Sequence, residues 1–476
     1  MPSPTRYSLL ASLLSLIGVS VSAMASEPSL ETLAAPLYQL EQQLSRHELD
    51  NGLSLYLLPL PNKQSVALSS QFAVGSRNEL EGESGYAHLF EHMLFKGSEN
   101  APGDSYGQTM SANSGYFNAS TFFDATNYYV NLPSQALELA LWLESDRFIR
   151  PQLSEETVRN QQRTVLEEMA TTIDNQPYIR PAMNFLLNQV KGSPYGHAVI
   201  GSVDDVSAAT PASLNRFHRD FYRPDAMQLA IVGDLPPQAL SWVDKYFGSW
   251  QKPKRPLAHF SPLAVERQPV RGEIVDSRGP WPGLMLAWHT VGALHPDAAA
   301  ITLVEDYLLQ NRTSMLEQMN LKAPDTLLHY SVPLSMEHLG VMNLILVPRA
   351  KISLDALSQR ISGMVDTLAS QGITTLELDQ LKRRWLLTQL SKLDNDVSLA
   401  NLLSASQRRD REHPLTAPWE RIAAVTQEDI KRVTQQYLSP GYVRLDLLPP
   451  WYIRWGKTIL EWLPDGLSDS LEEKVL

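Results

Sequence analysis

Apolar and polar positions change rhythm several times along the first half of the chain. Residues 36–48 are spaced as a short helix, and strand-like runs follow at 53–58, 66–74 and 128–132, rich in aliphatic, β-branched and aromatic side chains. Asn51-Gly52, Pro61-Asn62 and Pro133 bound those runs as turn signals. Between them the pattern predicts a helix over 84–96. Two more are expected over 134–148 and 154–172, where Ser154 can cap and Glu155 and Glu156 suit the positive end of the helix dipole.

The rhythm breaks at Gln251-Lys252-Pro253-Lys254-Arg255-Pro256, with Pro262 and Pro269 beyond. A chain of 476 residues exceeds what one hydrophobic core usually supports. The break therefore divides a domain over 26–255 from a second over 270–448, followed by a tail over 449–476. The second half resumes with a strand over 283–289, a helix over 296–309 and strands over 330–333 and 340–347. Both halves run strand, helix, hairpin, which suggests an internal duplication; without a regular βαβ alternation, the class is α+β with mostly antiparallel sheets.

The first residues bear on compartment. Arg6 precedes a short apolar stretch over 9–19, and Ala23-Met24-Ala25 offers small residues for cleavage, so residues 1–25 read as a signal peptide rather than an uncleaved anchor. No later segment is long and apolar enough to cross a bilayer, and the expected setting is periplasmic or secreted. With no cysteine, disulfides and thiolate-held metals are excluded. Hydrophobic residues make up 43% and charged ones 19%, an ordinary globular balance, and a net charge of −12 argues against a nucleic-acid partner.

Candidate chemistry is concentrated in Gly85-Tyr86-Ala87-His88-Leu89-Phe90-Glu91-His92-Met93-Leu94. On a helix, His88 and His92 are four apart and share one face, so both imidazoles can reach one ion, with Glu91 on the same side. Two neutral imidazoles suit zinc, and a carboxylate beside them can take a proton from water. The remaining histidines, His197, His218, His289, His295, His329, His338 and His413, lack a partner at helical spacing and read as structural or surface residues. Asn127 and Tyr128 read as sheet-packing residues. Trp451, Trp455 and Trp462 could mark a membrane-interface helix, but Pro464, Asp465 and other charges in that run favour packing against the protein body.

The H-x-x-E-H order resembles the inverted zinc motif of the pitrilysin/insulinase family of zinc metallopeptidases. The likeness extends to Gly75-Ser76-Arg77-Asn78-Glu79, Phe95-Lys96-Gly97-Ser98 and Asn118-Ala119-Ser120-Thr121, followed by Asp124, Thr126, Asn127 and Tyr128. It continues through Asp174-Asn175-Gln176-Pro177-Tyr178, Ser193-Pro194-Tyr195-Gly196-His197, Phe221-Tyr222-Arg223-Pro224 and Ala230-Ile231-Val232-Gly233-Asp234.

That resemblance implies two homologous domains forming half of a clamshell around a peptide chamber, with one Zn2+ per chain in the first domain. It implies Glu168 as the third metal ligand, leaving the adjacent Glu167 as an exposed helix carboxylate. Many relatives carry a carboxylate two turns before the ligand, where this chain has Gln161, an amide that cannot neutralise a charge. The implied reaction is hydrolysis of unfolded peptides by a zinc-activated water, Glu91 acting as general base. The alternative is a non-catalytic family member serving as a structural or peptide-binding subunit. Phe117, Asn118, Ala119 and Ser120 match the family's edge strand, which pairs with the extended peptide. In relatives an arginine and a tyrosine from the last clamshell domain face the substrate; Tyr330 matches the tyrosine, but only Lys322 stands near the arginine position, and Arg312 aligns elsewhere. A dimer is therefore expected: a heterodimer in which a related chain lacking the zinc motif supplies the facing pair, the alternative being a homodimer that closes the chamber with Tyr330 and Lys322.

Overall fold

The computed structural model describes residues 28–460, except 62, 257–259, 261–267, 407 and 408. The expected signal peptide and Trp462 lie outside the described residues.

Two six-stranded mixed sheets form the frame. The first contains β1 (Ser45–Glu48), β2 (Ser54–Pro59), β3 (Ser65–Phe72), β4 (Tyr116–Thr121), β5 (Thr126–Pro133) and β6 (Met227–Gly233), in the order β1-β2-β6-β3-β5-β4. The second contains β7 (Val270–Val275), β8 (Gly283–Thr290), β9 (Thr326–Tyr330), β10 (Leu334–Ser335), β11 (Gly340–Pro348) and β12 (Val443–Leu448), in the order β10-β11-β8-β12-β7, with β9 also on β11. The duplication is visible in the pairings. β2 runs parallel to β6 and β7 parallel to β12, while every other pair in both sheets is antiparallel. The α+β class and the repeated element order are those of the sequence.

Nine helices build the site or join the halves: α1 (Leu30–Gln43), α2 (Tyr86–Met93), α3 (Leu137–Ile149), α4 (Glu155–Met169), α5 (Ile179–Asn188), α6 (Pro211–Phe221), α7 (Ala298–Glu305), α8 (Asp396–Ala405) and α9 (Trp451–Leu460). Each half has its own main core. In the first, α2, α3 and α6 bury Leu89, Phe90, Leu141, Phe148 and Phe217 against Leu55, Phe72 and Val130 of the sheet. In the second, α7 and its neighbours cover Leu284, Leu286 and Leu344.

The opposite faces are covered by exchange. Leu399, Ala400 and Leu403 of α8, from the second half, pack on Tyr56, Leu58, Ala67, Ala230 and Val232 of the first sheet. Ala182 of α5, from the first half, packs on Met285, Leu445 and Leu447 of the second sheet, with Phe185 alongside. α1 joins the second core through Ala34 and Leu37. Gly272 of β7 makes room for this exchange, since a Cβ there would come within 2.4 Å of the Phe185 ring. Covered on both faces, β6 and β8 are buried at every residue, which explains their unbroken apolar runs. Polar groups reinforce the α8 contact: Ser69 Oγ meets Asn127 and Ser404 at 2.9 and 2.8 Å, and Asn127 donates to Asn401 at 3.0 Å.

Four expectations change. The helix placed over 36–48 starts earlier, capped by Ser29, with Pro36 inside it; Ser45–Glu48 instead form β1, because they find Leu57 to Ser54 as a pairing partner. The helix placed over 296–309 ends at Glu305 and continues as a π-helical turn to Gln310. The strand placed over 330–333 occupies 326–330, paired with β11 through a register shift at Val347/Pro348. Trp451 and Trp455 of α9 do not pack on the protein body but are exposed.

Candidate metal centre

Helix α2 begins abruptly because Gly85, at φ +96°, adopts a left-handed conformation and a Cβ there would meet Ile200 O and Val206 at 2.8 Å. Its first N–H groups have no intrahelical partners. Glu79 supplies them, accepting from Gly85 N at 2.9 Å and Ala87 N at 2.8 Å, and His197 Nε2 lies 2.9 Å from the same carboxylate. His197 thus steadies the helix start rather than a metal. With Tyr86, Ala87, Leu89, Phe90 and Met93 buried, the helix is fixed in rotation, and His88 and His92 emerge on its remaining face.

Glu168 arrives from α4, whose N-cap Ser154 accepts from Thr157 N at 3.1 Å and whose Gln162 donates to the carbonyls of Val206, Ser207 and Ala209. His88 Nε2 lies 3.8 Å and His92 Nε2 3.5 Å from the two Glu168 oxygens. The three donor atoms lie within 4.8 Å of one another, and the imidazoles stand nearly perpendicular, at 85°. Two ligands bound to one zinc at about 2.1 Å are at most about 4.2 Å apart, so both histidine-to-glutamate distances fit and the widest pair closes by about half an ångström. Side-chain exposures of 13%, 23% and 39% for His88, His92 and Glu168 leave the centre open on one side.

The electrostatics suit a cation. Burial, then the His92 charge, pushes His88 down to about 4, and burial lowers His92 against the opposing pull of Glu168 and a hydrogen bond with Gln161. Both imidazoles are neutral at neutral pH, the form that binds metal. Gln161, buried on α4, is the amide that hydrogen-bonds His92 in this way. Glu167 is exposed.

Glu91 is buried beside this group. Burial raises its carboxyl to about 7; a Thr121 hydrogen bond lowers it, the Glu168 charge raises it and Arg147 lowers it. Thr121 Oγ1, at the end of β4, donates a short hydrogen bond to Glu91 Oε2. Behind it, Arg147 of α3 is buried with its partner Glu144, at 2.9 and 2.8 Å, beneath the rings of Phe95, Tyr106, Tyr128 and Phe148. Sequence reasoning gave Thr121 no role, because nothing in the spacing places a strand-end hydroxyl against a helix carboxylate.

β4 carries Phe117, Asn118 and Ala119 and forms the edge of the first sheet. Phe117 stacks on Phe95 in the core, so it is held from within, while Asn118 faces outward and its carboxamide accepts from Ala119 N at 2.8 Å. Tyr330 ends β9 on the edge of the second sheet, opposite Ile345, and is 40% exposed. Lys322 closes an exposed helix end and Arg312 follows the π-helical turn.

Residues 57–196, which include the two histidines and both glutamates, match the model for Insulinase (Peptidase family M16). Residues 208–384 match that for the Peptidase M16 inactive domain. The chain belongs to the M16 peptidase family. Among M16 relatives it is 26% identical over 422 residues to the zinc protease PqqE of Helicobacter pylori, covering 86% of this chain and 94% of that protein. A crystal structure of a protease from the same organism shares the fold, with a TM-score of 0.78 at 24% identity over 85% of this chain and 99% of that one. The periplasmic protease PqqL of Escherichia coli does so at a TM-score of 0.69 and 19% identity, over 91% of this chain but 50% of its own. This chain thus has the two-domain fold that makes up about half of PqqL.

Proposed function

We propose that this chain is a zinc-dependent endopeptidase acting on unfolded peptides or small proteins. The observation that carries this reading is the convergence of His88, His92 and Glu168 donor atoms beside the buried Glu91 carboxyl. Zinc held by those three residues supplies Lewis acidity, polarising a carbonyl and acidifying water. Glu91 has a proton affinity close to neutrality, so it can take a proton from the attacking water and return it to the departing amine. Thr121 holds that carboxylate in place. The free edge of β4 offers backbone groups to an extended peptide, a mode that reads chain shape more than side chains and supports broad specificity.

The test is zinc content measured alongside cleavage of a quenched fluorescent peptide. Glu91→Gln is expected to keep zinc and lose hydrolysis by about 100-fold or more. His88→Ala, His92→Ala and Glu168→Ala are expected to lose both. Equal zinc loss in all four variants would sink the role assignment.

An exported, periplasmic setting accords with the amino-terminal pattern and with the PqqL likeness. Tyr330 keeps the tyrosine of the facing pair, but Lys322 stands where the family resemblance implies an arginine, so this chain's own pair is incomplete. A single ammonium cannot make the planar two-pronged hydrogen bond of a guanidinium. The chamber is therefore completed by a related chain without the zinc motif. Purified alone, the protein is expected to hold zinc and cleave slowly, with activity restored by a co-expressed relative; a fully active homodimer would remove the need for that partner.

A further inference from the structure

Glu168 is held differently from the two histidines. His88 and His92 ride on α2, which its buried residues fix in rotation. Glu168 is more exposed, and among the described residues no hydrogen bond steadies its carboxylate, which faces the two imidazoles. Its reach therefore depends on the backbone of the last turn of α4 and on the stretch that follows.

That stretch is irregular. After Met169 the helix widens into a π-helical turn over Ala170–Asp174, with Asn175 N donating to Ala170 O at 2.8 Å. The Thr171 and Thr172 hydroxyls donate to the carbonyls of Glu167 and Glu168 at 2.8 and 2.7 Å. The chain then passes through Tyr178 at φ +67°, a left-handed conformation that a bulky residue keeps only where its surroundings impose it.

Those surroundings belong to the second half. The turn between β7 and β8 takes hold of Tyr178 twice: Asp276 Oδ2 accepts from its backbone N–H at 2.9 Å, and the Trp281 carbonyl accepts from its hydroxyl at 3.0 Å. Trp281 is itself buried and donates to Pro348 O at 2.8 Å, while Asp276 Oδ1 accepts from Arg278 N at 2.8 Å. The Arg278 guanidinium reaches back to the carbonyl of Asp174, the last residue of the π-helical turn. Gly279 makes room for the ring, since a Cβ there would collide with the Tyr178 hydroxyl. The second half thus grips the chain one turn beyond the third ligand.

We propose that Tyr178 is a positioning residue for the metal centre: clamped in its left-handed conformation by the β7–β8 turn, it sets where α4 ends and so how Glu168 meets His88 and His92. The tightness of zinc binding is then governed in part by residues of the second half that touch no ligand. This rests on the reading of His88, His92 and Glu168 as a zinc site.

The experiment is zinc affinity of the full chain, measured by competition with a chromogenic chelator. In Gly279→Ala the added methyl meets the far end of a flexible side chain, so the ring is displaced while the fold is kept. Zinc is expected to bind on the order of tenfold more weakly, the loss typical of residues that orient a ligand from behind. Tyr178→Phe, which deletes only the hydrogen bond to Trp281, should weaken zinc binding by less. In a Tyr178→Gly background, where glycine accepts the left-handed conformation and no ring remains to displace, Gly279→Ala should have no further effect. Leu403→Ala, which loosens the α8 contact between the halves, is expected to lower the thermal midpoint and leave zinc affinity unchanged. Unchanged affinity in Gly279→Ala overturns the clamp and leaves the zinc reading intact. An equal loss in Leu403→Ala does the same, as does a Gly279→Ala loss that persists without the tyrosine. An unaltered chain that binds no zinc overturns both.

Discussion

Thr121 and Glu305 show how single side chains carry chemistry that spacing does not announce. The Thr121 hydroxyl fixes one Glu91 oxygen, so Thr121→Val is expected to cut kcat by about tenfold or more while zinc content and KM stay close to the parent. Thr121→Ser should recover most of the loss, which a general packing defect would not allow. Glu305 of α7 has its Oε1 buried without a hydrogen-bond partner, and burial, then the charge of Asp306, pushes its carboxyl from 4.5 up to about 8. Between those values the folded protein keeps a proton that the unfolded chain has lost. Its contribution to stability is therefore fully present below about pH 4.5 and lost as pH rises through about 8. Glu305→Gln should flatten that decline by about 1 kcal/mol or more, read from urea midpoints at either end of the window. At this scale legibility follows distance along the chain. His88, Glu91 and His92 were visible because one helix turn places them together, whereas Glu168 came only through resemblance and Thr121 not at all, since tertiary contact alone brings each to the site.

Edge strand β4 is where element geometry meets the proposed substrate. Ala119 N donates to its neighbour's carboxamide, Asn118 Oδ1, which occupies a backbone donor at the sheet edge that a paired peptide would need. Ala119→Pro deletes that donor, and an edge strand tolerates proline better than a central one. The variant is expected to raise KM severalfold with zinc retained; unchanged KM would place the peptide in a different groove. Strands were readable wherever both faces are buried, as in β6 and β8, because the apolar run is continuous. They were misread where pairing decided the outcome. Ser45–Glu48 has no strand-like composition and becomes β1 through its register with β2, while the helix before it begins at Leu30, where Ser29 supplies the cap.

The two halves repeat one topology, and that much followed from element order. The exchange of α5 and α8 did not, because an amphipathic helix shows that it has an apolar face but not which sheet the face will meet. Leu399 and Leu403 of α8 are fully buried on the opposite half's sheet, so Leu403→Ala should cost about 2–5 kcal/mol. The chain should still unfold in one transition by both tryptophan fluorescence and circular dichroism, whereas two separate transitions would mean that the halves fold independently. Arg77 adds a bolt across the same join, contacting Asp124 at 2.5 Å and Glu337 at 2.6 Å. A body whose halves each wall in the other has no seam to part along. If a second chain faces the metal as proposed, the opening that admits a peptide would lie at the joint between the two chains rather than between these two halves.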